Sequence, residues 1–211
     1  MEITWYGHSC FRLAERGKAT VVTDPFDESI GYPLPKLKAD VVTVSHDAPG
    51  HSNVDNVKSY QRLIRGPGEY EIGGVFIIGA AMHSVNPDSY RYNVAYMFDY
   101  DGLSVVHLGD LDHVPHQSTI ETMGAVDIVL VPVGGGAGLN ATQAAEVVSM
   151  LEPGIVIPMH YKTDESRLEL EPVDRFLKEM GVSRIQQEEV LKVTKSSLPE
   201  QTQIVVLGCS R

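Results

Sequence analysis

Four short runs of apolar, mostly β-branched residues each stop at a side chain that can ligate a metal ion. Residues 19–23 stop at Asp24, 41–45 at His46, 103–109 at Asp110 and 155–159 at His160. Runs of this length and composition read as buried strands. Strand ends are rigid mounts at the edge of a core, where functional groups are held with least play. One such ending is commonplace, because Asp and His often punctuate strands. Four in one chain call for a strand-rich fold whose tips meet.

The rest of the pattern agrees. Residues 3–11 read as the first strand, and 61–64 and 75–80 bracket a Gly-Pro-Gly-Glu-Tyr-Glu turn region. Residues 93–100 alternate, and Asp101-Gly102 turns the chain tightly into 103–108. Residues 128–133, 155–158 and 204–207 complete the strands. Asn140 or Thr142 can cap a helix running to about Leu151, where Pro153-Gly154 ends it. A second helix spans 173–180 and stops at Gly181. Strands and helices in mixed order predict sheet layers covered by helices. With no low-complexity stretch and no Ser/Gly linker, residues 1–211 read as one domain.

The balance of 28 acidic against 17 basic residues, a net charge of -11, argues against a surface that coats nucleic acid. No leader-like or membrane-length apolar segment is expected. Two cysteines at opposite ends, Cys10 and Cys209, do not make a disulfide framework, which fits a reducing cytoplasm. The implied partner is a small-molecule substrate, with neither nucleic acid nor membrane; a homo-oligomer stays open.

Eight histidines fall mostly in loops or at strand ends, His8, His46, His51, His83, His113, His116 and His160 among them; His107 lies inside an apolar strand and reads as structural. The segment His46-Asp47-Ala48-Pro49-Gly50-His51 is the densest cluster. Pro49-Gly50 forces a turn, which can point both imidazoles inward as a metal clamp or outward as a polar turn. Taken together, these imidazoles and carboxylates suit zinc, manganese, iron or nickel.

Several segments then resemble one family. Trp5-Tyr6-Gly7-His8-Ser9-Cys10-Phe11, Thr23-Asp24-Pro25-Phe26, Ser45-His46, Gly66-Pro67-Gly68-Glu69-Tyr70, His107-Leu108-Gly109-Asp110, Val131-Pro132-Val133-Gly134-Gly135 and Ile157-Pro158-Met159-His160-Tyr161-Lys162 occur in the order of the metallo-β-lactamase superfamily. The resemblance is to its small bacterial metal-dependent hydrolases, near the ascorbate-phosphate lactonases. It implies an α/β fold, a four-layer αββα sandwich of two mixed β-sheets covered by helices. It also implies one or two divalent ions, zinc or manganese first, held by His46, His51, His83, Asp110 and His160. Two motif positions depart from the family: Ala48 stands where a second His belongs and Gly50 where an Asp belongs. His8 can supply a missing ligand; Asp47 is a weaker substitute.

The function this implies is a metal-dependent hydrolase. A metal-bound hydroxide would attack a small ester, lactone or phosphoester, an anionic one included. Asp110 would hold the metal and orient the nucleophile. His113 would act as an acid or as a partner of a ligand, or be a plain loop histidine. Lys162 would hold an anionic group, and the amides around Gly135 could bind an anion at the following helix. Asp24 and residues 66–70 read as structural turns. The alternative is a catalytically impaired relative that keeps the metal and serves as a binding or sensory protein, a reading that Ala48 favours.

Overall fold

The computed structural model describes residues 1–83, 92–183, 185 and 187–211. Its main strands, in chain order, are β1 (Glu2–Gly7), β2 (Cys10–Ala14), β3 (Val21–Thr23), β4 (Val41–Thr43), β5 (Arg62–Ile64), β6 (Gly68–Ile72), β7 (Val75–His83) and β8 (Tyr92–Tyr100). They continue with β9 (Leu103–His107), β10 (Ile128–Pro132), β11 (Ile155–Met159), β12 (Leu191–Lys192) and β13 (Gln203–Ile204). The helices are α1 (Gln117–Thr122), α2 (Ala141–Leu151) and α3 (Val173–Glu179). One sheet has the order β12-β1-β2-β3-β4-β5, the other β13-β11-β10-β9-β8-β7-β6.

Neighbouring valines show how the sheets stack. Side chains alternate across a strand, so Val21 and Val41 enter the large core between the sheets while Val22 and Val42 enter a second cluster behind the first sheet. Trp5, Phe11 and Leu13 meet Ile77, Tyr96 and Phe98 in that large core. Strands β10 and β11 pair in parallel and are buried along their whole length, as a sheet covered on both faces requires. Helix α2 lies on β10 and packs against α1 and α3. It begins at Asn140, whose side chain accepts from the Gln143 amide while Gln143 accepts from the Asn140 amide. The cover over the first sheet differs from the expected helical layer. It carries the 3-10 turns Glu28–Ile30 and Val54–Asn56, with Phe26, Ile30, Tyr32 and Val57 filling the cluster.

Two expected elements change. Residues 3–11 form two strands: Gly7 (φ 111°) and His8 (φ 52°) turn β1 back into β2. The Trp5 indole N–H holds the turn by donating to the His8 carbonyl at 3.0 Å. Of residues 66–71, expected as turn, all from Gly68 onward belong to the edge strand β6, because Gly73 and Gly74 in the left-handed region make the tight turn into β7. Helix α1 had no forecast; its six residues carry a single buried position, Ile120, too little to show a period. Among the described residues no helix is long and apolar enough to cross a membrane.

This topology positions the site. β3 and β4 run parallel, and so do β9, β10 and β11. Parallel strands end at the same edge of a sheet, which is where ligands collect in α/β folds. Asp24 and His46 therefore lie just past one set of strand ends, and Asp110 and His160 past the other.

Candidate metal centre

Five of the expected ligands converge. His8, His51 and His160 form one group and His46, His51 and Asp110 another, the donor atoms within each lying within 4.8 Å of one another. The Asp110 carboxylate spans the groups, with Oδ1 3.2 Å from His160 Nε2 and Oδ2 3.9 Å from His46 Nε2. His8 Nε2 is 3.2 Å from His51 Nε2. Imidazoles and a carboxylate this close, nearly all buried, present lone pairs to a common point.

The surrounding bonds orient the donors. Asp24 is fully buried and accepts from the Ser45 amide (2.7 Å) and the Ser45 hydroxyl (2.6 Å). Its Oδ2 also lies 2.8 Å from His51 Nδ1. Burial alone would raise the Asp24 carboxyl. The His51 bond, the electrostatic pull of the His107 and His51 rings and the Ser45 bond outweigh that and hold it below its ordinary value. A charged Asp24 keeps the His51 proton on Nδ1 and turns Nε2 to the site, the carboxylate–histidine arrangement that fixes metal ligands. His51 so held offers one lone pair and serves one ion at a time, although it belongs to both groups. Asn93 does the same for Asp110: its Oδ1 accepts the Asp110 amide (2.9 Å) and its Nδ2 donates to the Leu108 carbonyl (2.9 Å). Gly109 makes this approach possible, since a Cβ there would lie 2.3 Å from Asn93 Oδ1.

His8 is the unusual donor. It sits at φ 52° in the β1–β2 turn, and its carbonyl accepts the His160 amide at 3.1 Å, with His160 itself at φ 53°. Its Nδ1 is buried without a hydrogen-bond partner among the described residues. Burial first, then the neighbouring His160, His51 and His46, holds its pKa well below the ordinary histidine value, so the ring stays neutral, as a ligand must be. A Cβ at Gly50 would lie 2.8 Å from His8 Nε2. The His8 ring thus fills the space that a side chain at position 50 would need. Gly50→Asp alone is expected to weaken metal binding roughly tenfold to hundredfold by displacing His8. Gly50→Asp combined with His8→Ala should regain most of that affinity, measured by competition with a chromophoric chelator. A double variant no better than Gly50→Asp would refute the exchange.

His107 is structural. Its Nδ1 accepts the Gly109 amide (3.1 Å), so Nε2 carries the proton to the Ser9 carbonyl (2.9 Å) and the ring is neutral. Burial, offset in part by Asp24, lowers its pKa. The unfolded chain therefore binds a proton near pH 6.5 that folded His107 and His8 refuse. Their contribution is intact above pH 6.5 and is lost as pH falls below it, at about 1 kcal/mol per pH unit for each ring. The urea midpoint of metal-free protein should drop between pH 7.5 and 5.5; a flat profile would contradict the two neutral rings.

Other expected site residues lie elsewhere. His83, expected as a ligand, is not brought to these groups; it is exposed at the end of β7, its ring 5.6 Å from that of Tyr92 on the paired strand. Lys162, expected to hold an anion, spends its ammonium inside its own loop, on the carbonyls of Ser166 (2.6 Å) and Leu168 (3.0 Å). Gly135 has its amide on the Leu139 carbonyl and its carbonyl on the Gly138 amide, so neither faces a ligand. His113 is half-buried, with Nδ1 2.7 Å from Asp112 Oδ1. Most residues that line the cavity over the donors were not foreseen: Ile30, Ala137, Leu168, Glu169 and Leu170 join Gly136 of the glycine run around about 380 Å³. Among the roles missed, the tie from Asp24 to His51 had a signal, since Asp24 ends an apolar run as the ligands do.

Residues 2–160 match the family model described as a beta-lactamase superfamily domain. A protein of Pyrococcus furiosus named only as a UPF0173 protein is 30% identical over 210 residues, covering 88% of this chain and 93% of that relative. A Thermoplasma volcanium protein named UPF0173 metal-dependent hydrolase is 31% identical, covering 77% of this chain and 84% of its own length. A Thermotoga maritima structure assigned as a zinc-dependent hydrolase of the metallo-β-lactamase superfamily is 39% identical, with a TM-score of 0.80 over 98% of this chain and 97% of that one. With its two sheets and its strand-end donors, the chain belongs to the metallo-β-lactamase superfamily.

Proposed function

We propose that this chain is a metal-dependent hydrolase that holds a divalent cation on His8, His46, His51, Asp110 and His160 and cleaves a small ester, lactone or phosphoester. The observation that carries the reading is the convergence of these donors, with His51 locked by the buried Asp24. Four imidazoles and one carboxylate suit zinc or manganese, with nickel or iron next. When bound, such an ion supplies Lewis acidity and a water of lowered pKa.

The chain's own residues do the rest. Asp24 keeps His51 in one tautomer, and Asn93 fixes the Asp110 backbone so that its carboxylate reaches both groups. Neutral His8 supplies a donor where positions 48 and 50 carry none, which removes the main support for a relative that binds metal without catalysis. Ile30, Leu168 and Leu170 give one side of the cavity an apolar lining, which strengthens charge interactions beside it.

Chelation should abolish hydrolysis of nitrophenyl ester and phosphodiester probes, and added zinc or manganese should restore it. Activity that survives removal of all metal would overturn the reading.

A further inference from the structure

The cavity over the metal donors has a chemically one-sided lining. Its non-ligand side chains are Ser29, Ile30, Ala48, Pro49, Ala137, Leu168, Glu169 and Leu170 around the two glycines. Among the described residues no lysine or arginine lines it, and Glu169 is the one charged group outside the donor set. Two cations of the loop that carries Glu169 are spent on backbone. Lys162 caps the carbonyls of Ser166 and Leu168, and Arg167 donates to the Glu28 carbonyl at 3.4 Å.

Those bonds hold the strap that presents Glu169. The Arg167 amide donates to the Ile30 carbonyl (2.9 Å) and the Glu171 amide to the Gly134 carbonyl (2.8 Å). The strap is thus tied to the first sheet's cover before Leu168 and to the β10 loop after Leu170. Glu169 is exposed and makes no ion pair among the described residues. Between its two leucines it adds an acidic residue to an otherwise apolar wall of the cavity.

We propose that this cavity selects an ester or lactone whose non-reacting part is short, apolar and uncharged, and that Glu169 is a specificity residue that repels substrates with a free anionic group at the far end. This rests on the hydrolase reading above and narrows it. A cavity of about 380 Å³ suits a small ligand. An anionic tail would lie against Ile30, Leu168 and Leu170 with no cation to pair it and a carboxylate beside it. Rejection by placing a like charge against the wrong ligand is a common route to specificity.

The test is binding, so it does not need turnover. The probes are hexanohydroxamic acid and the same chain ending in a carboxylate, titrated calorimetrically into the zinc-loaded full chain. The hydroxamate anchors both at the metal, and only the tail differs. The neutral probe should bind at least about fivefold tighter. Glu169→Gln should shrink that gap to within about twofold, and Glu169→Lys should reverse it. Equal binding of the two probes, or a gap that Glu169→Gln leaves unchanged, would overturn the proposal while leaving the metal centre standing. Failure of both probes to bind the zinc-loaded protein would overturn the hydrolase reading and the specificity proposal with it.

Discussion

His51→Ala is expected to empty the metal centre and to lower hydrolysis by roughly 10³-fold or more, the scale of losing charge stabilisation at a reacting centre. His51 belongs to both donor groups. Its removal takes from both groups the imidazole that Asp24 locks in place, and leaves Asp110 to reach His8 and His160 on one side and His46 on the other. It also leaves the buried Asp24 without the bond that most lowers its pKa. Metal analysis of the purified variant should show far less than the wild-type content, whereas the fold persists because Ser45 still bonds Asp24 through its amide and hydroxyl. A variant that kept full metal content and activity would show that His51 is not a ligand.

Asp24→Ala should act through the same imidazole and also through the backbone. Two groups lose their acceptor, the Ser45 amide and His51 Nδ1, while the Ser45 hydroxyl keeps only His46 Nδ1 at 3.0 Å. Each buried donor left unpaired costs about 1–3 kcal/mol, so the loss of stability is several kcal/mol and shows in the urea midpoint. His51 is then free to take the other tautomer, and metal affinity should fall about tenfold to hundredfold. Asp24→Asn separates the effects. It keeps the shape and one acceptor oxygen, and should recover part of the stability. It cannot hold the His51 proton as a carboxylate does, so the affinity should stay low. If Asp24→Asn bound metal like the wild type, orientation of His51 would not be the role of Asp24.

The readable part of the fold was the part written in local pattern. Apolar runs of the right length located β3, β4, β9, β10 and β11, and their final residues located Asp24, His46, Asp110 and His160. The Asp101-Gly102 turn was legible because both residues tolerate the left-handed region they occupy, at φ 55° and 86°. The Gly7-His8 turn was not, because histidine is no turn signal and the Trp5 indole that holds the turn reaches it only after folding. The fit of His8 against Gly50 joins positions 42 residues apart, and no linear pattern shows that a missing Cβ makes room for a distant ring. Lys162 misled for the opposite reason. Its distance from His160 in sequence is two, but its ammonium turns to carbonyls of the loop ahead. His83 keeps its place on β7, yet the groups that form do so without it.

The donors straddle a seam. His46 and His51 follow a strand of one sheet, Asp110 and His160 follow strands of the other, and His8 rides the hairpin whose carbonyl bonds the His160 amide. Any fluctuation that prises the layers apart at that rim also scatters the coordinating atoms. Opening of that seam and loosening of the ion are therefore coupled, and whatever stiffens the rim also tightens the hold on the cation.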